Sequence, residues 1–590
     1  MFRILRPSLC LLILSMSSMH AVQSPGGAAA SQPLHDLFAE EWEWTMEQNP
    51  TWASTLGDRR WNTRWEDLSL EAIRAREQHQ RQALERLAAI PRLQLGPADQ
   101  VSYDIFKYLY ESEVEGYQYQ AYLIRTNTYD GVQTVQRLAG SLRFDTLKDY
   151  EDWIARLRAF PEYLDQNIDL MRRGIAENVL LPKVTMQRIA AQAERLAREP
   201  TEESGFYKPF TQLPPAIGGA DRDRLVEAGR QAVRTAVQQS YQRLGTFIRN
   251  EYMPAAYDRV GYWQTARGGE AYAYLARLYT TTTLTPRQIH ELGLSEVARI
   301  RGEMERIAAE VGFKGSLQEF FTHLRTDPKF FYTSGEAYLE ATRALAKRID
   351  PELVKVFRTL PRLPYGVEPV PAALAPDQPA GYAEYGAPDG SRPAHYYVNL
   401  YKPESRPKWE MLALALHEAV PGHCMQGSLA QEVSDLPAFR RHAGFTAYVE
   451  GWALYAESLG DEMGLYDDPY SRFGQLTYEM WRAVRLVVDT GMHVFKWDRD
   501  RAIRYFMDNA AKTELDVTNE VDRYISWPGQ ALAYKVGELK IQELRRRAAA
   551  GLGERFDLKE FHDLILLSGA MPLEVLEARL HAWIAKPPAP

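Results

Sequence analysis

Apolar residues recur three and four positions apart along most of this chain, which is the spacing of an amphipathic helix. The stretch Thr285-Pro286-Arg287-Gln288 is a typical helix start, with threonine as N-cap and proline at the first helical position. No repeat of fixed period occurs. The pattern predicts one large helical domain over residues 34–590, and two lobes around a cleft are compatible with it. The predicted helices include Leu37–Met46, Ser69–Ile90, Asp99–Gln120, Leu147–Glu177, Lys183–Arg198, Asp221–Tyr252, Thr285–Val311 and Tyr338–Ala346.

The helical pattern is interrupted once, over Leu360–Pro407, which is dense in proline, glycine and tyrosine. Within it Ala394–Tyr401 alternates like a short strand. A strand edge can pair with an extended peptide backbone, so Tyr397 and Asn399 are candidate substrate-binding residues. An ordered connecting loop remains the alternative. Helical sequence returns at Trp409, so the predicted fold is mainly α, with a small β element just before the next helix.

The N-terminus has the pattern of an export signal. Arg3 and Arg6 precede a short apolar run that begins at Leu9, and small residues follow near Ala21. This predicts a signal peptide over residues 1–22, a flexible linker over 23–33 and a periplasmic or secreted protein. A disordered cytosolic N-terminus is the alternative, and Cys10 lies too deep in the apolar run for a lipoprotein. No later apolar run reaches 18 residues, so we expect no membrane association after signal removal.

Composition narrows the possible partners. The chain has 590 residues, 70 Lys+Arg against 78 Asp+Glu, and a pI near 5.9. Nucleic-acid binding is not predicted, because it calls for a basic patch or stripe. Cys10 would leave with the signal, so Cys424 would be the one remaining thiol and could form no intramolecular disulfide.

The segment His417-Glu418-Ala419-Val420-Pro421-Gly422-His423 carries the main candidate chemistry. Two imidazoles and a carboxylate supply two metal ligands and a general base to a zinc hydrolase. In the common H-E-x-x-H motif the histidines are four residues apart on one helix, whereas here they are six apart, with Pro421 between them. Either the helix from Trp409 breaks at Val420–Gly422 and brings both imidazoles together, or the pattern arose by chance.

A carboxylate on a downstream helix would complete the ligand set. Glu450 and Glu457 are seven residues apart and share one helix face. Glu450 is therefore the candidate third metal ligand, and Glu457 could bind the metal or support another ligand. A solvated helix face is the alternative for both.

Two further segments could complete an active site. Arg482, Arg485, Asp489 and His493 lie on one stripe of a helix. His493 could stabilise an oxyanion, and the arginines could bind a substrate carboxylate; a structural ion-pair ladder is the alternative. Tyr534 could offer its phenol to the same oxyanion or simply pack in the core.

Taken together, the blocks 417–426, 450–457, 482–493 and 528–537 resemble those of the bacterial "domain of unknown function 885" family. That family is similar to helical zinc peptidases of the thimet-oligopeptidase and angiotensin-converting-enzyme type. The resemblance implies a zincin-like fold with a deep cleft, and Zn²⁺ bound by His417, His423 and Glu450. It also implies Glu418 as general base, with His493 and Tyr534 stabilising the oxyanion. The chain departs from the family pattern at Cys424, where many relatives have histidine.

These features predict an exported zinc-dependent hydrolase that cleaves peptide bonds in short peptides. The alternative is a non-catalytic periplasmic binding protein with a structural metal. A structural zinc site is closed by four protein ligands, so Cys424 joining the other three would favour that alternative. The oligomeric state is not predicted.

Overall fold

The computed structural model describes residues 25–372, 375–387, 390 and 392–586. The predicted signal peptide at 1–22 lies outside them. The prediction of a mainly α fold is confirmed. Over the described residues the helices are α1 (Pro25–Gln48), α2 (Pro50–Thr55), α3 (Leu70–Ala88), α4 (Pro97–Gln118), α5 (Leu138–Ser141), α6 (Leu147–Glu177), α7 (Lys183–Arg198), α8 (Gly219–Ala232), α9 (Gln239–Phe247), α10 (Met253–Ala255), α11 (Gly268–Thr280), α12 (Pro286–Glu310), α13 (Leu317–Thr326), α14 (Gly335–Ile349), α15 (Leu353–Val356), α16 (Met411–Glu418), α17 (His423–Glu432), α18 (Ala438–His442), α19 (Thr446–Ser458), α20 (Gly460–Met463), α21 (Pro469–His493), α22 (Arg499–Asn509), α23 (Glu514–Ser526), α24 (Ala533–Leu552), α25 (Leu558–Leu566) and α26 (Leu573–Ile584).

Helix boundaries follow the sequence signals closely in several places. The predicted helices Leu147–Glu177 and Lys183–Arg198 coincide with α6 and α7. At the start of α12, the Thr285 hydroxyl accepts a hydrogen bond from the Gln288 backbone, and the Gln288 side chain accepts one from the Thr285 backbone. This capping box satisfies two backbone donors that the helix start would leave unpaired.

One prediction at the N-terminal end is wrong. Residues 25–33, expected to be a flexible linker, form the first turns of α1. Pro25 opens the helix, where its missing N–H costs no hydrogen bond, and the alanines that follow have the highest helix propensity. No helix in the described part of the chain is long and apolar enough to cross a membrane.

The β element is a three-stranded sheet in which the predicted strand lies at the centre. β1 (Tyr365–Pro369) and β2 (Gly381–Glu384) flank β3 (Ala394–Val398), β1 in parallel and β2 antiparallel. The backbone of β3 is therefore already paired on both sides, which contradicts its expected use as a free edge for a peptide. The sheet packs against α16 and α17.

The centre of the molecule is formed by α16, α19, α21 and α24. Every residue from Met411 to His417 on α16 is buried. Where α19 crosses α24, Gly451 and Gly537 face each other, and a methyl group on Gly537 would collide with the Ala447 carbonyl. The two backbones can approach this closely only without side chains at the crossing.

Candidate metal centre

The helix break predicted between the two histidines is confirmed. α16 ends at Glu418 and α17 begins at His423, and the backbone angles of Ala419 and Gly422 between them are not helical. The Ala419 N–H still bonds to the Ala415 carbonyl, but the next intact helical turn starts only after Gly422. An uninterrupted helix would carry the second imidazole to another face. The break instead brings it back beside the first.

The connecting residues are held by close packing. The Val420–Pro421 peptide bond is cis, and the Pro421 carbonyl accepts a hydrogen bond of 2.9 Å from the Trp452 indole on α19. A Cβ at position 422 would collide with the His417 carbonyl. Glycine is therefore required where the chain folds back on the end of α16.

Three side chains meet at this break with the spacing of a metal site. The Nε2 atoms of His417 and His423 lie 3.6 and 3.4 Å from Glu450 Oε2. Two ligands bound at about 2.0–2.1 Å in a tetrahedral zinc site would lie roughly 3.3–3.4 Å apart. Within the described residues, these three form the one group of His, Cys, Asp or Glu side chains close enough to share an ion.

Glu457 supports this group from behind, because its Oε1 lies 2.8 Å from His417 Nδ1. A carboxylate on the far nitrogen fixes the tautomer that leaves Nε2 free for a metal. Burial alone would lower the pKa of His417, but hydrogen bonds with Glu450 and Glu457 raise it to about 9. The helix face that carries Glu450 and Glu457 is thus turned towards the interior of the protein. Glu450 lies beside Nε2 of His417, and Glu457 lies beside Nδ1 of the same ring.

Glu418 is next to the ligand group but does not belong to it. Burial raises the pKa of its carboxyl, and the nearby imidazoles of His417 and His423 partly oppose that effect. A carboxylate with a raised pKa beside a metal site has the properties of a general base. Cys424 is also outside the group, and burial together with the Glu418 charge raises the pKa of its thiol.

The donor set fits zinc. Two neutral imidazoles and one carboxylate are a ligand set used by catalytic zinc sites, which keep the fourth position for water or substrate. His423 Nδ1 is buried without a hydrogen-bond partner among the described residues. It therefore lacks the supporting contact that His417 receives from Glu457.

Tyr385, which the sequence alone did not single out, lies at the same site. It follows β2, and its ring packs against Gly427 on α17. The residue is 41% exposed, while partial desolvation and the charges of Glu450, Cys424 and Glu418 raise the pKa of its phenol. No local motif marks this residue; only the pairing of β2 with β3 brings it to α17.

His493 does not fit its predicted role. Its Nδ1 accepts a hydrogen bond of 2.9 Å from the Tyr262 backbone, and its Nε2 lies 3.0 Å from the Tyr524 carbonyl, to which it donates. Burial lowers the pKa of the ring to about 4. Both nitrogens are occupied by backbone groups, so the neutral imidazole joins structural elements and has no hydrogen-bonding atom left for an oxyanion.

The two arginines of α21 are buried and engaged with protein groups. Arg482 donates to the Tyr478 carbonyl at 3.2 Å and lies 3.8 Å from Glu457, the carboxylate that contacts His417. Arg485 donates to Glu520 at 2.9 Å. For Arg482, these contacts favour the predicted alternative, in which the arginine belongs to a structural ion-pair ladder and does not bind substrate.

Arg485 also links α21 to Tyr534. Its guanidinium lies over the Tyr534 ring, 4.4 Å from the centroid, while Arg523 donates to the Tyr534 hydroxyl at 3.1 Å. One terminal nitrogen of Arg485 is buried without a partner among the described residues. A role of Tyr534 and Arg485 towards substrate stays a prediction.

The two residues predicted on the strand do not form a substrate site. The Asn399 side chain is fully buried and donates to the carbonyls of Ala375, Gln378 and Pro379. These hydrogen bonds from Asn399 stabilise the loop that precedes β2. Tyr397 stacks on Tyr382 on the face of the sheet opposite to the buried Tyr396. Alternation along a strand explains this orientation.

Comparison with known proteins places the chain among similar bacterial structures. It is 29% identical to a candidate lipoprotein from Colwellia psychrerythraea, with a TM-score of 0.88 and coverage of 94% of this chain and 99% of that one. A candidate lipoprotein of unknown function from Shewanella oneidensis shares the fold at 18% identity, with a TM-score of 0.74 and coverage of 93% and 99%. No curated protein matches the chain in sequence. The profile of the family described as "Bacterial protein of unknown function (DUF885)" matches residues 50–580, and the chain belongs to that family.

Proposed function

We propose that this protein is a zinc-dependent hydrolase that cleaves peptide bonds. The observation that carries the proposal is the meeting of His417, His423 and Glu450 at zinc-ligand distances, with Glu418 beside them. Three protein ligands are the number that a catalytic site uses, and Cys424 does not close the site as a fourth. The non-catalytic binding protein with a structural metal has no comparable observation in its favour.

The residues divide the chemistry between them. Zinc, when bound, would activate a water molecule and polarise a carbonyl. Glu418 would take the proton from the attacking water and pass it to the leaving amine. Glu457 holds His417 in the ligand tautomer. With His493 occupied, the Tyr385 phenol is the hydrogen-bond donor that we assign to the developing oxyanion.

The substrates we propose are short peptides, and the location is outside the cytoplasm. The substrate size follows from the resemblance that we propose to helical zinc peptidases of the thimet-oligopeptidase and angiotensin-converting-enzyme type, which act through a cleft between helical halves. Export is supported by the N-terminal pattern of residues 1–22 and by the likeness to candidate lipoproteins. Fold-level analogy is the basis for the substrate size.

Metal content and peptide turnover together test the proposal. We expect stoichiometric zinc in the purified protein and cleavage of a mixed peptide library detected by mass spectrometry. Glu418→Gln should keep the metal but lose at least about a hundredfold in kcat/KM, because it removes the general base. Glu450→Gln should lose both metal and activity.

Glu340→Gln is the matched control, since Glu340 is exposed on α14 and should keep both zinc and turnover. Stoichiometric zinc without turnover of any peptide would instead identify a binding protein. Full activity of Glu418→Gln would remove Glu418 from the mechanism.

A further inference from the structure

A cavity that contains none of the candidate metal ligands lies between α1, α4, α18 and α26. Its volume is about 650 Å³, within the range of small-molecule sites. None of the metal-centre residues lines it. Its walls are largely apolar, with Phe38, Trp42, Val101 and Leu436 among the lining residues.

Two arginines, Arg440 and Arg579, line the same cavity. Arg440 is 2% exposed, donates to Ser102 Oγ at 3.1 Å and bonds to the Ser568 carbonyl. The Nε atoms of both arginines are buried without a partner among the described residues. Over the same residues, no carboxylate lies within 4 Å of either guanidinium in an ion pair.

These positive charges are unfavourable in the protein without a bound anion. Burial lowers the pKa of Arg440 to about 10, and the charge of the nearby Arg579 contributes. Buried charges in proteins are normally paired, because moving an unpaired charge out of water is unfavourable. The buried guanidinium of Arg440, with Arg579 lining the same cavity, therefore lacks an anion.

The acidic residues of the cavity do not supply that anion. Asp99 is bound to His35 at 2.8 Å, and Glu43 is paired with Arg60 at 2.7 Å. Asp435 accepts a hydrogen bond from Ser434. Each of these carboxylates is engaged elsewhere, so the positive charge of the arginines stays uncompensated.

We propose that this cavity binds an organic carboxylate with an apolar body. Its carboxylate pairs with Arg440 and Arg579, since guanidinium and carboxylate match as bidentate partners. The apolar body lies against Phe38, Trp42 and Leu436.

Calorimetric titration of the purified protein with decanoate tests this site. We expect one molecule bound per chain. Decanol shares the apolar body and acetate shares the carboxylate, so each should bind at least about tenfold more weakly than decanoate. Binding of decanol as tight as that of decanoate, or no binding of decanoate, overturns the proposal.

Variants separate the cavity from other apolar surfaces. Arg579→Met should weaken decanoate binding at least about tenfold while keeping or raising the thermal midpoint of the ligand-free protein, because an uncompensated charge is removed. Arg440→Met should weaken binding in the same way. Arg306→Met, at a position with a 76% exposed side chain, is the control and should bind like the wild type. Equal affinity in all variants would show that the arginines do not hold the carboxylate.

Discussion

At the residue scale, the candidate metal centre depends on which partner each of the two nitrogens of an imidazole contacts. His417 meets Glu457 through Nδ1 and Glu450 through Nε2, whereas both nitrogens of His493 meet backbone groups. The two histidines are equally buried. What distinguishes a ligand from a structural residue here is which partner each nitrogen finds.

Tyr385→Phe tests the assignment of the phenol. We expect kcat to fall by about a hundredfold with KM little changed, because the hydroxyl acts on the transition state more than on the bound peptide. Steady-state kinetics on one cleaved peptide would measure this. Tyr401→Phe is the control, because Tyr401 is exposed to the same extent as Tyr385, at 42% against 41%, but its ring contacts Lys402 instead of α17. Equal loss in both variants, or a change in KM alone, would contradict the assignment.

Asp489 carries a prediction about pH and stability. Burial raises the pKa of its carboxyl to about 7, against 3.8 normally, while hydrogen bonds from Tyr272 and the Gly529 backbone oppose the rise. The folded state therefore binds a proton that the unfolded state releases. This contribution to stability is complete below about pH 4 and is lost as the pH rises through about 7.

Asp489→Asn should remove that pH dependence. The stability of the variant relative to the wild type should rise between pH 4 and pH 8 by up to a few kcal/mol, since one pKa unit corresponds to about 1.4 kcal/mol. Denaturant unfolding at several pH values would show it. A constant difference between the two proteins across this range would show that Asp489 ionises normally.

Residues of the candidate site could be predicted from the sequence where the chemistry requires particular residue types at a particular spacing along the chain. The histidines, Glu418 and Glu450 could be selected because metal ligands and a general base are limited to few residue types. Tyr385 could not be selected, since its position depends on strand pairing between distant segments. His493 was misassigned because backbone carbonyls and amides, which leave no trace in sequence, take both its nitrogens.

At the element scale, the contact between α19 and α24 positions Glu450. Gly451 follows Glu450 directly and lies against Gly537, so the spacing of the two helices sets the position of the ligand. Gly537→Ala should destabilise the protein by about 2 kcal/mol or more, because the added methyl group overpacks a closed contact. Zinc affinity should fall as well, since α19 must move.

Gly302→Ala on α12 is the control for that variant. Gly302 has open space around its α-carbon, so alanine there should stabilise by about 0.5–1 kcal/mol through helix propensity. Unfolding curves and zinc titration of both variants give the comparison. If Gly537→Ala were as stable as Gly302→Ala and bound zinc as tightly, the two helices would not be in close contact at Gly537.

Helices were predictable where periodicity and capping agreed, as in α6 and α12, and in α7 periodicity alone was enough. The short strands β1 and β2 were not, because they lie between prolines and glycines and are formed by pairing with β3. The same pairing removed the free edge expected of β3. The pairing of strands depends on residues that are far apart in the sequence. It is therefore harder to predict from local sequence than the presence of a single strand.

At the scale of the whole molecule, the candidate metal centre brings three separate helices together. His417, His423 and Glu450 belong to α16, α17 and α19. A metal that binds only the folded chain stabilises it by about 4 kcal/mol at a thousandfold excess over Kd. Removal of zinc by a chelator should therefore lower the thermal midpoint by several degrees, and added zinc should restore it.

Calorimetric scans with and without chelator give that measurement. Glu450→Gln is the comparison, because its midpoint should respond little to either treatment. A chelator effect of the same size in Glu450→Gln would place the stabilising metal elsewhere in the chain.

The reversal of the chain at Gly422 also bears on how such sites are recognised in other genomes. A pattern search for two histidines four residues apart passes over this protein, because the connecting segment lengthens the interval to six. Position 422 has no room for a side chain beside the His417 carbonyl. A search string with glycine fixed immediately before the second histidine would find related centres and reject chance pairs of the same spacing.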